Sequence, residues 1–290
     1  MMSMPLLKRE ILADGARLEF LERESSGGSV LAPMVLLHGV AASAWTLEAL
    51  IAELPPERRL IAFNLPGREL PGSAAPSDVG LRGLARQVRD GARMLGLEQP
   101  VVLGHSHGGA IALQMAASFP EDVSGLILLS PAHPFLLRER WIVAFYNSWV
   151  GHVVGHSIRL LPKWAQDFGF SRLMGPAGRR LTIDWRPYRE PFQRRDNVVQ
   201  LLRLLKTWSA DMDALGVQIR RQKIQAPTLF LWGDADSIVP IKTAPALEAC
   251  VQEWELVTLP GVGHLPNEEA AAECGRAIRA WLQRPADGVS

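Results

Sequence analysis

Short, almost purely apolar runs recur along the chain at 34–37, 59–63, 101–103, 125–129, 228–232 and 254–259. Runs this short, without polar alternation, predict strands buried on both faces of a parallel sheet. The segments around 43–53, 80–95, 107–118, 242–250 and 267–283 predict helices between them, so strand and helix alternate. Residues 17–22 alternate apolar and polar with period two and, with Glu10, Ile11 and Leu12, predict antiparallel strands at the sheet edge. The fold class that follows is α/β, a mostly parallel central sheet flanked by helices.

The alternation stops after Ser130-Pro131 and resumes at Ala226-Pro227. The interval has helical periodicity and no clear buried strand, which predicts a helical cap over 133–222 inserted into a core domain of 1–132 and 223–290. It holds Trp141, Phe145, Tyr146, Trp149, Trp164, Phe168, Phe170, Trp185, Tyr188, Phe192 and Trp208. Most of these aromatics are expected to build the cap's own core and the rest to face a pocket.

Charge sharpens the division. The whole chain is net +1, yet 133–222 carries 15 Lys/Arg against 7 Asp/Glu. Exposed helix faces are normally charged, so Arg172, Arg179, Arg180, Arg186, Arg189, Arg194 and Arg195 read as a solvated exterior. A net charge this small offers no overall attraction for nucleic acid. Hydrophobic content of 48% with 21% charged residues suits a globular protein, and no apolar run approaches the roughly 20 residues that span a bilayer. The N-terminal stretch has only a two-residue apolar patch before Lys8-Arg9, so no secretory signal is read and a cytoplasmic location is expected. Cys250 and Cys274 form neither a disulfide framework nor a metal cluster and are expected to be buried thiols.

The chemistry concentrates at Gly104-His105-Ser106-His107-Gly108-Gly109, between the strand run 101–103 and a helical segment. A serine lifted onto a sharp strand-to-helix turn crowds the residues two before and two after, where Gly104 and Gly108 supply the missing bulk. Functional groups in an open parallel sheet gather beyond the carboxyl ends of the strands. Two further ends carry Gly233-Asp234-Ala235-Asp236-Ser237-Ile238-Val239-Pro240 and Pro260-Gly261-Val262-Gly263-His264. Ser106, Asp236 and His264 can act there as nucleophile, orienting carboxylate and proton shuttle. A fourth end, His38-Gly39-Val40-Ala41, offers the Val40 N–H, with that of His107, as donors to an oxyanion. His38, Gly39, His133 and Phe135 are candidate substrate-binding residues, the last two because they begin the cap directly above the turn.

These motifs, in the order Ser, Asp, His, resemble the capped members of the α/β-hydrolase superfamily, and the resemblance covers nearly all of the sheet. It implies a serine hydrolase without cofactor or metal, acting on a small to medium, largely apolar ester or related acyl compound. It also implies that the acid is the fourth residue of the Gly-x-x-Asp-x-x-Val-Pro segment, Asp236 rather than Asp234. Ser106 stands where some relatives carry Asp, which argues against a haloalkane dehalogenase or epoxide hydrolase. Asn64-Leu65-Pro66-Gly67-Arg68-Glu69 departs from the usual Asp-x-x-Gly-x-Gly loop, and Leu265 replaces the Trp frequent in carbon–carbon bond hydrolases. The alternatives are carbon–carbon hydrolysis, lyase or acyltransferase chemistry on the same triad, or a ligand-binding receptor with a vestigial triad. His105 and His107 are expected to pack beside the turn, and His152 and His156 lack the glutamate of a zinc protease. Gly27-Gly28 reads as a hairpin turn, and no Gly-x-Gly-x-x-Gly or Walker pattern occurs.

Overall fold

In the computed structural model, which describes residues 5–13, 16–26, 31–65, 79–136 and 139–284, the period-two segments form β1 (Leu7–Ala13) and β2 (Ala16–Arg23). The apolar runs form β3 (Met34–Leu37), β4 (Leu60–Phe63), β5 (Val101–His105), β6 (Gly125–Leu129), β7 (Thr228–Gly233) and β8 (Trp254–Leu259). All eight join one sheet in the order β1-β2-β4-β3-β5-β6-β7-β8. β1–β2 and β2–β4 pair antiparallel, and every later pairing is parallel. The Gly27-Gly28 turn and residues 66–69 of the altered loop lie outside the described residues.

β3 to β7 are buried along their whole length, as sheet strands covered on both faces must be. Successive side chains go to opposite faces and feed two cores. Val35, Leu37, Val102 and Phe230 join one with Val88, Ile111 and Met115 from α2 (Leu81–Met94) and α3 (His107–Ser118). Met34, Leu36, Leu103 and Leu231 join the other with Leu50 and Ile278, from α1 (Glu48–Glu53) and the terminal helix α11 (Ala271–Leu282). Each such side chain removed from water stabilises the fold by about 1.5–3 kcal/mol. Cys250 and Cys274 are buried free thiols, and burial pushes the Cys274 thiol up to about 12.

From β3 the chain crosses to β4 on one side and to β5 on the other. The order therefore reverses between β3 and β5, the position where ligands bind in open α/β sheets. Between β6 and β7 the chain runs through α4 (Glu139–Tyr146), α5 (Trp149–Ser157), α6 (Lys163–Ser171), α7 (Arg186–Gln193) and the 27-residue α8 (Arg195–Arg221). The second half of α8 rejoins the sheet-flanking layer: Leu215 and Ile219 are fully buried, and Gln218 Nε2 donates to the Ala117 carbonyl of α3 at 2.7 Å. The aromatics of the helical segment depart from expectation. Phe170, Trp185, Tyr188 and Phe192 do cluster, but Trp149, Trp164 and Phe168 project into solvent, because short helices laid on the sheet end have only one inward side. After β7 come α9 (Ala244–Glu248) and, behind β8, the short α10 (Pro266–Glu269).

Candidate active site

Ser106 sits between the last residue of β5 and the first of α3 with φ 50° and ψ −115°, a conformation costing about 1–3 kcal/mol for a residue with a side chain. Its flanks leave no room for alternatives. A Cβ on Gly104 would strike the Gly108 carbonyl, one on Gly108 would strike the Leu37 carbonyl, and one on Gly109 would lie 2.7 Å from Pro131 Cβ. The turn is pinned by Ser106 N–H donating to Leu129 O at 3.0 Å and by the Ser106 carbonyl accepting from Gly109 and Ala110.

The loop after β7 and the loop after β8 bring two more side chains to this turn. His264 Nε2 is 3.0 Å from Ser106 Oγ, and His264 Nδ1 is 2.8 Å from Asp236 Oδ2. Asp236 Oδ1 accepts from the Ile238 and Val239 amides at 2.8 and 2.9 Å. Burial pushes the Asp236 carboxyl up, but the bond and charge of His264 and the two amides outweigh it, so the group lies below the usual carboxylate range. An ionised Asp236 requires the proton of His264 on Nδ1 and leaves Nε2 able to accept from Ser106. Asp234 takes no part: it is exposed and accepts from Gly261 N–H at 2.6 Å, shaping the loop before His264.

His264 is held by more than its carboxylate. Its N–H donates to the Leu173 carbonyl at 2.8 Å, and its own carbonyl accepts from His105 Nε2 at 2.8 Å. Burial, then the neighbouring His264 ring, lowers His105 to about 3, so it is a neutral donor at pH 7. The buried carboxylate of Glu269 accepts from Gly263 N–H at 3.0 Å, Leu265 N–H at 3.1 Å and Gly175 N–H at 2.8 Å. Leu173, Glu269 and the tethering role of His105 were not legible in the sequence. Glu269 follows His264 within a polar stretch that looks like any solvated helix start.

β3 runs into His38-Gly39-Val40-Ala41, and a Cβ on Gly39 would lie 3.0 Å from His105 Nδ1 and 3.5 Å from Ser106 Cβ. This loop backbone therefore lies directly against the serine turn. Ala41 takes a positive φ of 54°. Asn64, where the altered loop begins, supports it from behind: its Oδ1 accepts from Ala44 N–H at 2.8 Å and its Nδ2 donates to Glu19 at 3.2 Å. His107 is the first residue of α3, so its N–H has no acceptor within the helix.

A cavity of about 310 Å³ opens beside Ser106 and His264. It is lined by Gly39, Val40 and Ala42 of the loop after β3, by Leu204, Leu205 and Trp208 of α8, and by Phe170, Leu173, Tyr188 and Phe192. The His107 ring lines it too, tilted on Trp208 with centroids 5.3 Å apart. Burial lowers His107 to about 3, and its Nε2 has no hydrogen-bond partner among the described residues. The other candidate binding residues, His38, His133 and Phe135, do not line this cavity. His38 borders only a small adjoining space of about 50 Å³, because its ring is turned under the loop, Nδ1 to Gly39 O at 2.7 Å and Nε2 accepting from Leu65 N–H at 3.0 Å. His133 is buried against the Trp232 ring with Nε2 3.0 Å from Thr243 Oγ1, and Phe135 lies under the Arg220 guanidinium; neither lines the cavity.

The fold agrees with the comparisons to known proteins. Over 265 residues the chain is 26% identical to the uncharacterized hydrolase YugF of Bacillus subtilis, covering 90% of this chain and 92% of that protein. It is 28% identical to the dihydrolipoyllysine-residue acetyltransferase component of the acetoin cleaving system of Pseudomonas putida, over 93% of this chain and 68% of that protein. Among solved structures it superposes on Cfl2 of Burkholderia cenocepacia with a TM-score of 0.81 at 22% identity, over 95% of each chain. No helix among the described residues is long and apolar enough to cross a membrane. The family model of the alpha/beta hydrolase family matches residues 34–277, and the chain belongs to that family.

Proposed function

We propose that the protein is a serine hydrolase cleaving a small to medium, largely apolar carboxylic ester through an acyl-enzyme. The observation that carries this reading is the unbroken chain from Ser106 Oγ through His264 to Asp236, facing a mainly apolar cavity. Ser106 attacks the carbonyl while His264 Nε2 takes its proton, and Asp236 stabilises the imidazolium. The N–H groups of Val40 and His107 hold the oxyanion, each such donor contributing about 3 kcal/mol to transition-state stabilisation. His264 then protonates the departing alcohol, activates a water and returns the proton to Ser106 as the acid leaves. Residues 133–222 serve as a cap, supplying the apolar roof that selects the acyl or alcohol chain.

The test is a chain-length panel of nitrophenyl esters with Ser106→Ala beside it. Turnover and fluorophosphonate labelling that vanish in the variant support the reading; an unchanged rate overturns it. Product analysis on β-diketones and with added acyl acceptors separates ester hydrolysis from carbon–carbon cleavage and acyl transfer. Tight ligand binding without turnover would identify a receptor.

A further inference from the structure

The helices between β6 and β7 carry an outer face that their inward packing does not explain. On α5 and the turn after it, Trp149 is 80% exposed, and Val153, Leu160 and Leu161 also stand out of the surface. α6 continues the strip with Trp164 and Phe168, four residues apart and therefore on one side of the helix, 73% and 62% exposed. The opposite side of α6 faces inward: Gln166 is buried and Phe170 lines the cavity beside Ser106. One exposed leucine is ordinary on a protein surface, whereas two indoles, a phenyl ring and several aliphatic side chains within twenty residues mark an interaction site.

Charge identifies the occupant. From 143 to 182 the chain has five cations, Arg159, Lys163, Arg172, Arg179 and Arg180, all exposed, against one acid, Asp167, which is paired with Arg189. A second copy docking through the same face would set these cations against their own counterparts. Short helices with Trp, Phe, Leu and Val on their outer side and Lys and Arg around them match a bilayer surface, where apolar side chains enter about 5–10 Å and cations meet phosphates.

We propose that this face docks in the plane of an anionic phospholipid surface without crossing it. α6 then separates lipid from the cavity by a single helix thickness, so the substrate class is an acyl ester delivered from the bilayer. That last step rests on the hydrolase reading; the docking does not.

The test is sedimentation of the full chain with vesicles of phosphatidylcholine alone and of phosphatidylcholine mixed with phosphatidylglycerol, across a salt series. The expected result is binding to the mixed vesicles at least tenfold tighter than to phosphatidylcholine, falling with salt. Arg159→Gln and Lys163→Gln should each weaken it about fivefold. Trp149→Ser with Trp164→Ser should weaken it more than tenfold while hydrolysis of a water-soluble nitrophenyl ester stays unchanged. Should the tryptophan variant lose thermal stability, the two charge variants decide. Absence of binding to the mixed vesicles, equal salt-independent binding to both, or a dimer in sedimentation velocity that the tryptophan variant disrupts without any lipid binding would each overturn the proposal. Ser106→Ala separates the two readings: it should bind vesicles as the parent does, and a chain that binds lipid yet hydrolyses nothing retains the docking and removes the esterase.

Discussion

His105 Nε2 donates to the carbonyl oxygen of His264 at 2.8 Å, so the residue before the proposed nucleophile holds the backbone of the residue proposed as its base. Replacing His105 with Ala leaves a buried carbonyl unpaired, at about 1–3 kcal/mol, and frees His264 to drift from Ser106. His105→Ala should lower kcat about 10- to 100-fold with KM little changed, because the damage is to alignment rather than to the cavity. Steady-state kinetics together with a thermal melt check both parts; a variant equal to the parent in kcat would remove the positioning role.

The two aspartates after β7 have separate partners, His264 for Asp236 and the Gly261 amide for Asp234. Asp236→Asn should cost about 10⁴ in kcat, since the amide no longer favours the Nδ1–H form of His264. Asp234→Asn should keep most activity and lose only about 1 kcal/mol of stability, from its bond to Gly261 N–H. Paired rate measurements decide between them, and the opposite pattern would transfer the acid role to Asp234.

Glu269 joins three backbone amides drawn from the His264 loop and from residue 175. Glu269→Ala should destabilise the fold by about 3–5 kcal/mol, because three buried amide donors lose their shared acceptor together. Denaturant unfolding measures it; a loss below 1 kcal/mol would show that water replaces the carboxylate freely.

Glu268 gives a pH signature. Burial pushes its carboxyl up to about 7 against an ordinary 4.5, despite the bond from Tyr188. Between these values the folded state binds more protons than the unfolded one, so this group's contribution to stability falls as pH rises from about 4.5 to 7. The buried neutral histidines 105, 107 and 133, each lowered to about 3, act in the opposite sense, gaining stability as pH rises toward 6.5. The difference between parent and Glu268→Gln isolates the carboxyl. The variant should gain relative stability from pH 5 to 7.5 in melts, and a pH-independent difference would contradict the assignment.

The unpartnered Nε2 of His107 is a buried polar atom on a ring that lines an apolar cavity. His107→Phe keeps the backbone N–H and the contact with Trp208 while removing that atom. Esters bearing a hydroxyl or carbonyl near the scissile bond should lose about tenfold in kcat/KM, and purely aliphatic esters should lose little. Equal losses on both sets would mean that the ring only packs.

The sheet was legible because β3 to β7 are covered on both faces and so exclude polar residues from their runs. The serine turn was legible because backbone touches backbone at Gly104 and Gly108, which only glycine permits. The rest of the site was not, for reasons equally physical. Leu173 acts through its carbonyl, which every residue possesses, and Glu269 is a buried carboxylate indistinguishable in sequence from a solvated one. An aromatic at helical spacing reads alike whether it faces in or out, so Trp149 and Phe170 carried the same signal. His133 and Phe135 follow β6 as a pocket residue would, yet local turns send them toward Thr243 and Arg220.

The bond from His264 N–H to the Leu173 carbonyl ties the helical segment between β6 and β7 to the loop that carries His264. A Cβ on Gly175 would strike the Gly261 carbonyl and would lie 2.6 Å from the Gly263 amide nitrogen, so the two loops mesh without intervening side chains. Lifting residues 173–175 would strip the His264 amide of its acceptor and Glu269 of a donor in one movement. If His264 is the base proposed above, an unlatched molecule would be idle rather than merely open.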